Sequence, residues 1–296
     1  MSIPLGEAAC LSASLLWAVA VQIFALPIAR HGARAANLFK CVFATVLLGL
    51  TLLLMGGWGA FGAASGIDLS LVALSGIIGL TVGDTALFAA VNHLGVHRSL
   101  LLQTMAPVFA VALAWPLGET LGTVQVVGSL VILAGVIVVL TGSTNDTEIR
   151  GGRIAVGVAI GLLAACGQGT GVVVAKFGMA SVPVLPATFL RMGVGAAGLI
   201  AVALAVGGLG RARRAWSDPK TLPRMVLASF FGTYLAMLLM MAGVAWAPAS
   251  VAAVLLATPP VFGLVVQSVV ERRWPSVRGL AGTAIAVGGV ALLVTG

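Results

Sequence analysis

Asp84 is the only carboxylate deep inside an apolar run, in GLTVGDTALFAAVNHL, Gly79 to Leu94. An ionised Asp at the centre of a membrane helix costs ~2.5–3.5 kcal/mol on insertion scales, so it requires a partner or a task. Three readings are open. It could bind a cationic group, carry a proton, or cap a helix restarted after Gly83, where Gly-Asp-Thr is good cap chemistry. Pro107 and the pair Pro259-Pro260 sit inside two other apolar runs. Each ring crowds the carbonyl four residues back, those of Gln103, Leu255 and Leu256. A freed carbonyl in lipid must be used by a neighbour, water or substrate, so these three prolines read as hinges beside a site. Trp17 and Phe88 could stack on a substrate, and Gln103, Gln168, Tyr234 and Met237 could contact one, although single aromatics in membrane helices also serve packing. Lys40 and Arg191 lie one to two turns inside their apolar runs, where they could snorkel to the surface or form a salt bridge. His93 and His97 are four apart, but two ligands without a third make no metal site. No metal and no cofactor is assigned.

The elements that must position these residues follow from composition. Of 296 residues, 60% are hydrophobic and 8% charged, with mean hydropathy +1.15. Runs of ~20 apolar residues cross a ~30 Å hydrocarbon core as helices. The expected fold is an all-α membrane protein with ten spans, near 5–29, 35–56, 69–91, 98–116, 121–141, 153–177, 184–208, 223–245, 248–270 and 276–295. The net charge of +8 is no nucleic-acid signal, because Lys and Arg lie in short loops between apolar runs.

The chain repeats itself. GSLVILAGVIVVLTG from Gly128 matches GTAIAVGGVALLVTG from Gly282, and PVF recurs at Pro107 and Pro260, 153 residues later. Lys40 aligns with Arg191 and Trp17 with Gln168, both 151 residues on. The units are 1–142 and 153–296, joined by a polar linker at 143–152. Each has five spans, an odd number, so the second enters the membrane from the opposite side: an inverted repeat. Fourteen of the sixteen Lys and Arg lie at or near odd-numbered loops, all but Lys176 and Arg191. That bias predicts cytoplasmic odd loops, a cytoplasmic linker and two periplasmic termini. Spans five and ten carry glycine every seven residues and almost no polar side chains, which predicts close packing at the periphery.

GDTALFAAVNHLGVHRSLLLQTMAPVFAVALAWPLGETL with GSLVILAGVIVVL, and APASVAAVLLATPPVFGLVVQSVVE with GTAIAVGGVALL, carry a resemblance over nearly the whole chain. The sequence resembles the drug/metabolite transporter superfamily, in particular its ten-helix exporters built from two EamA-type repeats. That resemblance implies a central cavity between spans one to four and six to nine, a small-molecule substrate with amino acids as the leading class, and a place in the bacterial inner membrane. Trp17, Phe88, Tyr234 and Met237 weakly favour aromatic or apolar amino acids. The sequence has no G-x-x-x-x-G-K-[ST] for ATP, so active transport would draw on an ion such as a proton. A non-coupled channel is the alternative. An intramembrane aspartyl protease needs two carboxylates sharing a proton, and Asp84 is alone in its depth.

Overall fold

The computed structural model describes residues 5–114, 123–141, 151–246, 255–272 and 274–295. Their regular structure is entirely helical. We number the spans α1 (Leu5–His31), α2 (Ala33–Leu54) and α3 (Gly66–Leu94). α4 runs in three pieces, Val96–Leu102, Gln103–Met105 and Ala106–Ala114. α5 (Thr123–Leu140), α6 (Gly151–Gly178) and α7 (Val184–Ala205) follow. α8 also has three pieces, Leu222–Ser229, Phe230–Leu235 and Ala236–Trp246. α9 (Pro259–Glu271) and α10 (Val277–Thr295) end the chain. The sequence 143–150 of the expected linker lies outside the described residues.

Among the described residues, six helices of 19 to 29 residues are long and apolar enough to cross a membrane. Their outer faces keep large apolar side chains in contact with the surroundings: Leu54 is 86% exposed and Leu204 62%. In water such a surface would aggregate; against lipid tails it is solvated.

Turns between spans are tight. Gly32 (φ 89°) and Gly95 (φ 78°) are single residues between α1 and α2 and between α3 and α4. Both conformations favour a residue without Cβ. α3 starts on Ser65, whose Oγ accepts from the Ile67 amide at 3.3 Å, with Asp68 in the first turn facing the positive end of the helix dipole.

The two repeats pack crosswise. α3 lies on α6 and α7, while α8 lies on α1 and α2; α4 packs on α6, α9 on α1, and α2 on α7. α5 and α10 pack chiefly on each other. A methyl added at Gly128 would lie 2.6 Å from the Leu293 nitrogen, and one at Gly289 2.6 Å from the Ile132 nitrogen. Backbone cannot yield at that distance, so the glycine stripe sets how closely these helices approach.

Both α3 and α8 widen into π-helical turns at matching positions, Ile77–Asp84 and Phe230–Leu235. In such a turn a backbone carbonyl loses its regular partner. The Leu80 carbonyl is taken by Asn37 Nδ2 of α2 at 2.8 Å, and Asn37 also donates to Thr85 Oγ1 at 2.9 Å. Thr81 Oγ1 donates in turn to the Gly195 carbonyl of α7 at 2.9 Å. Asn37 thus satisfies irregular backbone in α3 that the bilayer would leave unpaired, and Thr81 ties the same turn to α7.

Candidate functional site: a charged cavity between the repeats

A cavity of about 240 Å³ lies where these widened and broken helices converge. Among the described residues, none of α5 or α10 lines it. Its walls are largely apolar, with Leu80, Leu100, Met192, Met237 and Met240. Set into them are Trp17, Lys40, Asp84, Gln103, Gln168 and Arg191.

Lys40 and Asp84 form an ion pair between α2 and α3, with side chains 1% and 3% exposed. The Lys40 Nζ contacts Asp84 Oδ2, and Gln168 Nε2 of α6 donates to Oδ1 at 3.0 Å. The ammonium also sits 5.4 Å from the Trp17 ring centroid and 5.3 Å from that of Phe88, within reach of both ring faces. Asp84 makes no capping hydrogen bond to the helix that follows it. Its carboxylate is spent on Lys40 and Gln168.

Arg191 enters from α7 and is 8% exposed. Its Nε has no partner, and no described carboxylate reaches ion-pair distance. The guanidinium passes over Gly79, where an added methyl would lie 2.6 Å from Nη2 and 3.5 Å from Gln168 Oε1. Neither Lys40 nor Arg191 snorkels to the surface, as their depth in the sequence had allowed; both turn inward.

The other expected site residues divide. Trp17, Gln103, Gln168 and Met237 line the cavity, and Gln103 Nε2 is buried without a partner. Phe88 is fully buried beneath Lys40, its ring 5.1 Å from that of Phe24. Tyr234 shares a 2.8 Å hydrogen bond with Thr51 and packs on Phe230 at 5.6 Å, away from the cavity wall. Pro259 and Pro260 line the cavity and open α9, just after a break at Thr258. Ser14 Oγ of α1 donates to the Leu255 carbonyl at 2.8 Å and Thr258 Oγ1 donates to it at 2.5 Å. Pro107 follows the tight turn Gln103–Met105 in α4, where Thr104 Oγ1 donates to Leu101 O at 2.7 Å. Asn37, one turn before Lys40, was not among the expected residues. Its signal was an uncharged polar side chain on the same face of an apolar helix as a buried lysine.

Each end of the bundle is tied across the repeats. At the end of the odd-numbered loops, Asp218 Oδ2 contacts Arg30 Nε at 3.1 Å and His31 Nε2 at 2.9 Å. At the other end, Asp68 Oδ2 accepts from Ser181 Oγ at 2.5 Å and from the Ser181 amide at 3.1 Å. Asp68 and Asp218 are 150 residues apart, as are His31 and Ser181. The two ties are therefore matched in position and different in chemistry.

The sequence model of the EamA-like transporter family matches the chain twice, over residues 4–141 and 155–295. No curated protein matches it in sequence. A crystal structure described only as that of a protein is similar in fold, with TM-score 0.66 and 19% identity, over 97% of this chain and 95% of that one.

Proposed function

The chain belongs to the EamA-like transporter family, and from that premise we propose that it exports small organic metabolites, amino acids foremost, by alternating access. One observation carries the reading: the cavity is built from both repeats at once, where α3, α4, α8 and α9 all depart from regular helix. Interrupted helices at a repeat interface supply polar backbone and freedom to bend at the same place. The apolar walls suit an apolar or aromatic substrate body, and the Lys40–Asp84–Gln168 cluster suits a polar head. In this reading the repeats rock about the breaks at Pro107 and Pro259-Pro260. The Arg30/His31–Asp218 tie releases when the cavity opens toward the odd loops, and the Asp68–Ser181 tie when it opens the other way. A coupling ion such as a proton would act at Asp84, by competing with Lys40 for the carboxylate. The loop charges support an orientation with the odd loops in the cytoplasm and both termini in the periplasm, in the inner membrane of a bacterial cell on this reading.

Counterflow in proteoliposomes tests this. Unlabelled L-leucine or L-phenylalanine inside should drive saturable uptake of the labelled compound, and flux that rises linearly with concentration would mean a channel instead. For orientation, a periplasm-dependent reporter fused after Gly296 should be active and one placed within 142–153 silent. The reverse pattern would overturn the topology.

A further inference from the structure

We propose that Arg191 is the anchor for an anionic group on the substrate, and that the substrate needs no ammonium group to bind. This rests on the transporter reading above and names the chemical class it takes. The described residues that line the cavity include two cations, Lys40 and Arg191, and one carboxylate, Asp84. Asp84 is already paired: Lys40 sits on one oxygen and Gln168 donates to the other. Among the described residues, an incoming ammonium would have to share that one carboxylate with Lys40. Arg191 is the reverse case, 8% exposed, with its Nε unpartnered and no carboxylate within ion-pair distance among the described residues. A guanidinium stays protonated in proteins, so it cannot escape the cost of burial by neutralising. A buried charge left alone is expensive until a counter-ion arrives.

The repeat shows why the counter-ion is missing. Lys40 and Arg191 are equivalent positions, 151 residues apart. Asp84, the partner of Lys40, is matched 153 residues on by Met237 in α8, which also lines the cavity. The first repeat supplies a cation together with its carboxylate; the second supplies a cation and a thioether. Gly79 completes the arrangement, because a methyl there would lie 2.6 Å from Arg191 Nη2 and displace the guanidinium. Arg191 thus passes over α3 at Gly79 and shares the cavity lining with Met192 and Met237. The planar fork suits a carboxylate, and the wall suits an apolar body.

The test compares three probes of one shape on the purified protein at pH 7: 4-methylpentanoate, L-leucine and L-leucinamide. Binding is read by calorimetry. Both carboxylates should bind, 4-methylpentanoate at least as tightly as leucine, and leucinamide at least about tenfold more weakly. Arg191→Gln should weaken both carboxylates about 10- to 100-fold, the range for losing hydrogen bonds to a charged group, and leave leucinamide unchanged. Arg191→Lys keeps the charge without the fork and should fall between. The ranking of probes on the unaltered protein stands even if the Gln variant does not fold. Equal or tighter binding of leucinamide, carboxylate affinity untouched by either variant, or no carboxylate binding at all would overturn the proposal. Carboxylate binding through Arg191 without saturable counterflow would support the anion site and retire the transport reading. Leucinamide counterflow equal to that of leucine would do the opposite.

Discussion

Replacing Asp84 by Asn changes one atom type in a side chain that is 3% exposed, and its consequence separates two accounts of this residue. If Asp84 served as a helix cap, Asn would replace it at almost no cost. The structure gives its oxygens to Lys40 and Gln168 instead. Asn can still accept from Gln168, but it leaves the Lys40 ammonium, 1% exposed, with no opposite charge. What remains are the faces of Trp17 and Phe88, 5.4 and 5.3 Å away, worth roughly 0.5–2 kcal/mol together with the rest of the cation–ring attraction. Breaking a buried pair from one side costs ~3–5 kcal/mol. Those ring contacts are present in the parent too and so do not offset the loss, and Asp84→Asn should therefore lose about 3–5 kcal/mol of stability. Lys40→Met should also destabilise, by stranding the carboxylate. The double variant, Lys40→Met with Asp84→Asn, removes both charges and should be more stable than Asp84→Asn alone, giving a coupling energy at the upper end of the ~0.5–3 kcal/mol found for contacting residues. Denaturant titration of the four proteins in one detergent measures the cycle. An Asn variant within ~0.5 kcal/mol of the parent, or a double variant whose loss equals the sum of the singles, would refute the buried-pair account.

Asn37→Ala strands the Leu80 carbonyl in the widened turn of α3 and should cost about 1–3 kcal/mol, read from the same titration; a change under ~0.5 kcal/mol would mean another group takes over. Pro107→Ala and the double change Pro259→Ala with Pro260→Ala should restore helical hydrogen bonds and stiffen α4 and α9, slowing counterflow while expression is retained; parental rates in both would reduce the breaks to packing. The tie at Asp218 predicts a pH window. The Lys220 amide, against the opposing effect of burial, and then His31 and Arg30 hold this carboxyl below its ordinary 3.8. A folded-state value below the unfolded one contributes stability above about 3.8 that is lost as pH falls through the lowered value. Asp218→Asn should thus lower the melting temperature at pH 6, with the difference closing once the pH drops below that range; a pH-independent difference would show that the carboxylate's charge is not what matters.

Sequence reading reached the parts of this molecule that have a one-dimensional signature. Apolar run length marks the spans, proline marks the breaks in α4 and α9, and the 151- and 153-residue offsets mark the repeat. It also located Asp84, Lys40 and Arg191 as charges in costly places. What it could not show is which charges meet. Lys40 and Asp84 are 44 positions apart, and only the angle between α2 and α3 brings them together. The orientation of Phe88 and Tyr234 was equally hidden, since an aromatic side chain on a helix buried all round can point to a neighbour as readily as to a cavity. The π-helical turns have no residue signature beyond glycine spacing, and Asn37 gains its role only because such a turn exposes a carbonyl to it.

The Lys40–Asp84 pair lies wholly within the first repeat, whereas much of the helix packing runs between the repeats. During synthesis the first five spans reach the bilayer before α6 to α10 exist. Their two buried charges can neutralise one another at that stage, so the half-made protein waits in lipid without an unpaired ion. Arg191 arrives later, on α7, when α3 is already in place to receive it along Gly79. The order of the charges along the chain thus matches the order in which the membrane meets them: a self-sufficient pair first, and the lone cation only once there is a protein interior to hold it.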